Sequence, residues 1–114
     1  MYVNSMVASV PNDKKDSYIK HAKAASAIMK EHGALRALDA WGENVPEGKN
    51  TSFPMAVQKK DDETVLVSWV EWESKEASEK GMEAFMNDPR TANLEMPFDG
   101  QRLIWGGFDV IVDG

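Results

Sequence analysis

The chain has 114 residues, enough for one domain over residues 1–114 with its own hydrophobic core. Its net charge of −6, from 19 acidic and 13 basic residues, argues against nucleic-acid binding, and the lack of cysteine excludes disulfides and thiolate metal sites. Because the chain shows neither a signal-peptide pattern nor an apolar run near the ~20 residues of a membrane span, we expect a cytoplasmic protein that does not enter a membrane.

The first segments predict a strand followed by a long helix. Residues 2–10 are rich in β-forming side chains and stop at Pro11, which cannot donate to a sheet ladder. Apolar residues then recur from Tyr18 at steps of three and four, the spacing of one helix face, within a predicted helix at 13–32. Gly33 follows as a residue that lets the backbone leave a helix.

The middle of the chain predicts two further strands. Residues 35–42 are expected to form the second strand, and residues 43–53 indicate a loop because they are rich in Pro, Gly and Asn. Residues 55–60 are expected as a short extended segment. This segment turns into a strong strand at 64–72, where β-branched and aromatic residues dominate.

The last third predicts a helix, a short helix and a final strand. Ser74 can cap a helix at 75–87, and a second short helix is expected at about 89–94. The final strand is expected at roughly 102–112. The order β-α-β-β-α-β is the ferredoxin-like plan of α+β proteins, in which both helices cover one face of a four-stranded antiparallel sheet.

The strand at 64–72 is apolar on both of its faces. Its two sets of side chains are Val65, Val67 and Trp69 on one side and Leu66, Val70 and Trp72 on the other. A strand with one solvent-exposed face should instead alternate apolar with polar residues. Two helices cover only one face, so we expect the helix-free face to be covered by a second copy in a homodimer.

Four stretches of sequence resemble the YbaA-like family, a bacterial domain of unknown function in the dimeric α/β-barrel superfamily. They are residues 31–35, 51–57, 67–69 and 96–108, and the last contains the specific string Pro-Phe-Asp-Gly followed by Arg and Gly-Gly-Phe. The resemblance runs over nearly the whole chain. It implies a dimeric α/β barrel and no particular activity.

The chain departs from the usual sequence of this family at the second strand. The family often has Glu-Cys-Trp there, whereas this chain has Asp39, Ala40 and Trp41, which keeps a carboxylate but removes any thiol role. The superfamily that the resemblance implies includes cofactor-free oxygenases, haem-degrading enzymes and small isomerases. At the level of fold this analogy says little about function.

Six side chains are candidates for a site between the first helix and the sheet: Tyr18, His32, Asp39, Trp41, Trp69 and Arg102. Asp39 and His32 are the candidate proton-transfer groups, since a carboxylate or an imidazole can act as a general base. The other four are candidates for ligand contact. The tryptophans would supply area, and the guanidinium would hold an acidic group.

Structural roles compete with these assignments. His32 can instead close the end of the first helix, and His21 is expected at the boundary of the core. Arg102 can pair with Asp99 in the preceding turn, and the tryptophans can be core residues. With two histidines eleven residues apart and no cysteine, no metal site is expected, and no cofactor motif is present.

Two classes of function therefore remain open. The first is a protein that binds a small apolar or acidic molecule between the sheet and the helices. The second is a cofactor-independent enzyme of oxygenase or isomerase type that uses the same pocket. A buried and unpaired ionisable group beside a cavity would favour the enzyme.

Overall fold

The computed structural model describes all 114 residues of the chain. The helices and strands, in chain order, are β1 (Tyr2–Pro11), α1 (Lys15–Glu31), β2 (Arg36–Trp41), α2 (Phe53–Ala56), β3 (Glu63–Trp72), α3 (Lys75–Asn87) and β4 (Ile104–Asp109). Single turns of 3-10 helix precede α1 and follow α3. None of the helices combines the length and the hydropathy that crossing a membrane would require.

The four strands form one antiparallel sheet in the order β2-β3-β1-β4. Helices α1 and α3 pack on one face of it, as the ferredoxin-like plan requires. The predicted α+β fold class is therefore confirmed. The two central strands are β1 and β3, which leaves β2 and β4 as the two edges of the sheet.

The alternation of side chains along β3 separates the two faces of the sheet. Leu66, Val70 and Trp72 are buried on the helix face, against residues of α1 and α3. Val65 and Val67 lie on the opposite face, which we call the open face. No long helix packs on the open face, which carries Val7, Val67 and Trp69 beside the polar Ser5 and Glu71, so the apolar residues on both sides of β3 agree with the two-sided pattern of the sequence.

Two predicted segments differ from the structure. Residues 55–60 were expected to be extended, but Phe53–Ala56 form one helical turn whose first amides are capped by the Ser52 hydroxyl, which accepts from the Met55 amide at 3.1 Å. A serine followed closely by proline favours such a turn. The turn brings Val57 against Val65, so it covers one end of the open face. The last strand is also shorter than predicted, because Ile104–Asp109 alone pair with β1.

Candidate functional site

A groove of about 320 Å³ lies between α1 and β2 on the helix face of the sheet. Seven of its eleven lining residues are apolar or aromatic. The floor is formed by Leu66, and the walls include Tyr18 from the helix and Trp41 from the strand. The volume is near the lower limit for small-molecule pockets. The groove can hold a compact, flat ligand.

Tyr18 and Asp39 join the two walls of the groove. The Tyr18 hydroxyl donates to Asp39 Oδ1 at 2.6 Å, from a side chain that is itself buried. Burial, and then the hydrogen bond to Asp39, raise the pKa of Tyr18 far above its usual value. The phenol therefore stays protonated and acts as a donor, while the exposed carboxylate of Asp39 keeps its remaining acceptor positions free for a ligand.

The rim of the groove is positively charged. Lys15 and Lys23 both line it, and the Lys15 ammonium lies 5.2 Å from the centre of the Trp41 ring. This distance allows a cation–π contact. An anionic group entering the groove would meet two ammonium groups next to an aromatic surface.

His21 was expected at the core boundary, and the structure gives it a more specific environment. Its ring lies 5.7 Å from the ring of Tyr18 and 6.3 Å from that of Phe98, and its Nδ1 is buried without a hydrogen-bond partner. Burial lowers the pKa of His21, although the nearby Asp39 carboxylate acts in the opposite direction. The lowered pKa favours the neutral imidazole near pH 7, and no group in the chain is hydrogen-bonded to its Nδ1.

His32 lies away from the groove and is hydrogen-bonded to Asp88. Its Nε2 is 2.9 Å from Asp88 Oδ2, and Asp88 is also bound by the Arg90 guanidinium at 2.8 Å. The hydrogen bonds from Arg90, and then from His32, hold the pKa of Asp88 well below its usual range. These contacts tie the end of α1 to the end of α3. The structure therefore places His32 in a structural pair and not beside the candidate ligand site.

Arg102 also lies outside the groove. It binds Glu63 through two nitrogens at 2.7 and 2.8 Å, Asp99 at 3.1 Å and the Gln58 carbonyl at 2.9 Å. We call this group the Arg102 clamp, and it agrees with the expected pairing to Asp99. The hydrogen bonds from Arg102 are the main reason that the pKa of Glu63 falls to about 2.

Trp69 is on the open face, 39% exposed, and cannot line the groove. It pairs with Ser5 in the register of β1 and β3, one residue away from the helix-facing row that contains Ser68. Of the six candidates, only Tyr18, Asp39 and Trp41 meet in one place. The expectation that all six share one cavity is wrong, because strand alternation sends Trp69 to the other face and hydrogen bonds to carboxylates hold His32 and Arg102 elsewhere.

The chain matches proteins whose function is unknown. Residues 1–100 match the family described as protein of unknown function (DUF1428). The uncharacterized protein YbaA of Escherichia coli strain K12 is 46% identical over 98% of this chain and 97% of its own length, and that of Shigella flexneri gives the same figures. These matches confirm the resemblance to the YbaA-like family that the sequence motifs indicate.

Two solved structures have the same fold at low sequence identity. A dimeric ferredoxin-like protein from an uncultured marine organism superposes with a TM-score of 0.61 and 12% identity, covering 99% of this chain and 98% of its own. SnoaB, a cofactor-independent oxygenase from Streptomyces nogalater, gives a TM-score of 0.51 and 13% identity, covering 98% and 95%. At such identities the likeness shows the fold alone.

Proposed function

This chain belongs to the family described as protein of unknown function (DUF1428), and we propose that it binds a small molecule with a flat apolar body and an acidic group in the groove between α1 and β2. The observation that carries this proposal is the pairing of apolar walls with a cationic rim. Trp41 and Leu66 offer apolar surface, and Lys15 lies directly above the Trp41 ring. Apolar walls with a few polar groups are typical of ligand sites.

The polar groups of the groove fix how such a ligand would bind. Its ring would lie against Trp41, and its acidic group would replace the cation–π contact of Lys15 with an ion pair. Asp39 disfavours a second negative charge near Tyr18, so the acidic group points toward the rim. The site therefore favours a monoanion over a dianion.

The test is isothermal titration calorimetry with 2-naphthoate, which combines a flat ring system with one carboxylate. We expect binding by the native chain, weakened about two- to fivefold in Lys15→Gln, the value of one exposed charge contact. The neutral analogue 2-acetylnaphthalene should bind the two proteins equally. Lys75→Gln, on the exposed side of α3, is the matched control. Absence of binding, or an equal effect of both substitutions, would contradict the proposal.

A second candidate function is proton transfer without a cofactor, of oxygenase or isomerase type. Its support is Asp39, a carboxylate in the groove lining that accepts a hydrogen bond from Tyr18, with the unpartnered Nδ1 of His21 behind the Tyr18 ring. SnoaB, which shares the fold, is described as a cofactor-independent oxygenase. In this version Asp39 takes the proton, because it lines the groove, whereas His21 lies behind Tyr18 and the side chains of His32 and Arg102 are bound to carboxylates outside the groove.

Proton transfer is tested by deuterium exchange beside the carbonyl of 2-tetralone, followed by NMR in D₂O. The base removes a proton from the carbon, the enolate forms, and a deuteron returns to the same carbon. Exchange faster than in buffer, and lost in Asp39→Asn, would support the enzyme. Exchange no faster than in buffer would contradict the enzyme and leave ligand binding as the only proposed function.

We also propose that the chain forms a homodimer through the open face. Ile104 and Phe108 of β4 are both about half exposed there, on the same face as Trp69 of β3, with β1 between the two strands. An apolar area of this kind on a sheet face favours burial against another surface. The structural neighbour from the marine organism is described as dimeric. Light scattering at micromolar concentration should give twice the 12.7 kDa mass of the chain.

The proposed compartment is the cytoplasm. The lack of cysteine suits a reducing environment, in which disulfides do not form. Fractionation of cells that produce the protein tests this assignment, and recovery with secreted proteins would overturn it.

A further inference from the structure

The polar groups of the groove follow one another along β2. Trp41 and Asp39 are two residues apart on this strand and both line the groove, so their side chains stand on one face ~6.7 Å apart. Lys15 of α1 lies over the Trp41 ring, and Tyr18, about one helical turn later, donates to Asp39. The groove therefore presents a cation at one position and a carboxylate at the next position along the strand.

The Asp39 carboxylate has acceptor capacity that the chain leaves unused. The Tyr18 hydroxyl donates to its Oδ1 at 2.6 Å, and this is the single hydrogen bond that the carboxylate accepts from another side chain. A carboxylate offers about four acceptor positions. Because Asp39 is exposed, the other positions are open to water in the free protein. A ligand that fills the groove displaces that water.

The displaced water makes Asp39 selective. A carboxylate that is covered by an apolar surface loses its hydrogen bonds to water and gains none, which is unfavourable for a charged group. A ligand that donates a hydrogen bond to Asp39 replaces the lost water, and hydrogen bonds to an ionised acceptor are among the strong ones. The groove therefore disfavours a ligand that is apolar along its whole length.

The charges around Asp39 determine which kind of donor fits. Lys15 and Lys23 line the same groove, so a cationic donor would be repelled by two ammonium groups. An anionic group would be repelled by Asp39 itself. A neutral donor avoids both effects. A hydroxyl group on an aromatic ring is such a donor, and it projects beyond the ring edge while the ring stays against Trp41.

We propose, on the basis of the proposed binding function, that the ligand is a hydroxylated aromatic acid whose carboxylate pairs with Lys15 and whose hydroxyl donates to Asp39. The ~6.7 Å step between the strand positions of Trp41 and Asp39 requires the two groups to lie at opposite ends of the ring system. Asp39 is then the residue that determines specificity. Tyr18 is a positioning residue, because its hydroxyl holds one carboxylate oxygen and leaves the other for the ligand.

Calorimetry with a series of naphthoates tests the ligand class. We expect 6-hydroxy-2-naphthoate to bind about tenfold more tightly than 2-naphthoate, the value of one hydrogen bond to a partly exposed charged group. The matched compounds are 6-methoxy-2-naphthoate, which keeps the oxygen but has no donor, and 3-hydroxy-2-naphthoate, whose hydroxyl lies beside the carboxylate. Each should gain less than about twofold over 2-naphthoate, because neither can donate to Asp39 while its acid meets Lys15.

Asp39→Asn tests the residue. The amide oxygen can keep the bond from the Tyr18 hydroxyl, so the amide N–H group faces the ligand and the acceptor is lost. The preference for 6-hydroxy-2-naphthoate should fall to about twofold or less. Binding of 2-naphthoate should be unchanged or tighter, because a negative charge has left the groove, whereas a purely structural role of Asp39 would weaken all the ligands alike. Glu76→Gln, on the exposed side of α3, is the matched control and should keep the full preference.

The outcomes separate this inference from the proposed function. If 2-naphthoate binds and the 6-hydroxyl group adds nothing, the assignment of Asp39 is overturned and the proposed binding function stands. An equal preference in the native chain and in Asp39→Asn also overturns the assignment. If none of the naphthoates binds, the proposed function itself is contradicted.

Discussion

Tyr18 links the helix layer to an edge strand through a single hydroxyl group. Its ring is buried between α1 and the sheet, and the hydroxyl reaches Asp39 on β2. A buried phenol without an acceptor would lose a hydrogen bond to water, so the position of Asp39 matters for folding as well as for the groove. One contact thus serves both stability and ligand binding.

Tyr18→Phe should lower the free energy of unfolding by about 0.5–1.5 kcal/mol, the net value of one hydrogen bond. The ring stays in place, so little packing energy is lost. Urea denaturation followed by circular dichroism measures the change. Tyr2→Phe serves as the matched control, and an equal loss in both variants would show that the Tyr18 hydroxyl contributes nothing specific.

Gly81 is the residue that lets α3 approach Trp72. A Cβ at this position would lie 2.1 Å from Trp72 Cζ3 and 2.8 Å from the His32 carbonyl oxygen. Alanine normally gains ~1 kcal/mol over glycine in a helix, but overpacking costs about 1–3 kcal/mol. Both contacts are shorter than 3.0 Å, so the overpacking cost should lie at its upper end of about 2–3 kcal/mol, and we expect Gly81→Ala to lose a net value of about 1–2 kcal/mol of unfolding free energy in urea. Gly100→Ala, where a Cβ meets nothing within 4 Å, should change it little; a neutral Gly81→Ala would mean that α3 shifts freely.

The spacing of residues in the sequence predicts the surroundings of one histidine and not of the other. His21 is three residues after Tyr18, which places both on one helix face, so the sequence contained a signal for it. His32 was an equally good candidate for the ligand site, because no local sequence pattern predicts its partner Asp88, which is 56 residues away. Long-range hydrogen bonds of this kind depend on how the helices pack, which a short sequence pattern does not show.

At the level of segments, the Arg102 clamp holds together three parts of the chain that are distant in sequence. Glu63 begins β3, Gln58 follows α2, and Asp99 precedes β4. Ser9 of β1 also donates to Glu63 at 2.9 Å. Every oxygen of the Glu63 carboxylate is thus used, so the clamp fixes the loops at one end of the sheet.

The clamp predicts a defined dependence of stability on pH. The pKa of Glu63 is about 2 in the folded chain against an ordinary value of 4.5. A depressed folded pKa stabilises the native state above the unfolded value, and this contribution disappears as the pH falls toward 2. The advantage of the native chain over Glu63→Gln in urea should therefore be full at pH 7 and nearly absent at pH 2. Glu47→Gln, in an exposed loop, should show no such trend, and a constant gap for Glu63→Gln would refute the assignment.

The strands and helices differ in how well the sequence predicts them. The two-sided pattern of β3 correctly separated Leu66 from Val65, but it does not say which set faces the helices. That choice depends on Trp72, which fills the space under Gly81. Trp69 was therefore placed in the wrong cavity although its face relative to Leu66 was right. The turn at Phe53–Ala56 was missed because four residues are too few to show a helical period.

At the scale of the whole molecule, the open face predicts how the assembly responds to charge. Phe108 is 56% exposed in the isolated chain and would be buried between two sheets. Phe108→Asp should therefore shift the protein to the mass of one chain in light scattering, because an unpaired buried carboxylate is costly. Met86→Asp on α3 should keep the dimer mass. A dimeric Phe108→Asp protein would place the interface elsewhere.

The four tryptophans lie in four different surroundings, which makes the chain its own set of optical reporters. Trp72 is fully buried, Trp41 lines the groove beneath Lys15, Trp69 lies on the open face, and Trp105 is exposed on the edge strand β4. Replacing any three of them with phenylalanine leaves one emitter for a single process: unfolding, ligand entry, contact between sheets, or a change in the surroundings of β4. The intrinsic fluorescence of this protein can therefore resolve the order of these events in time without an attached dye.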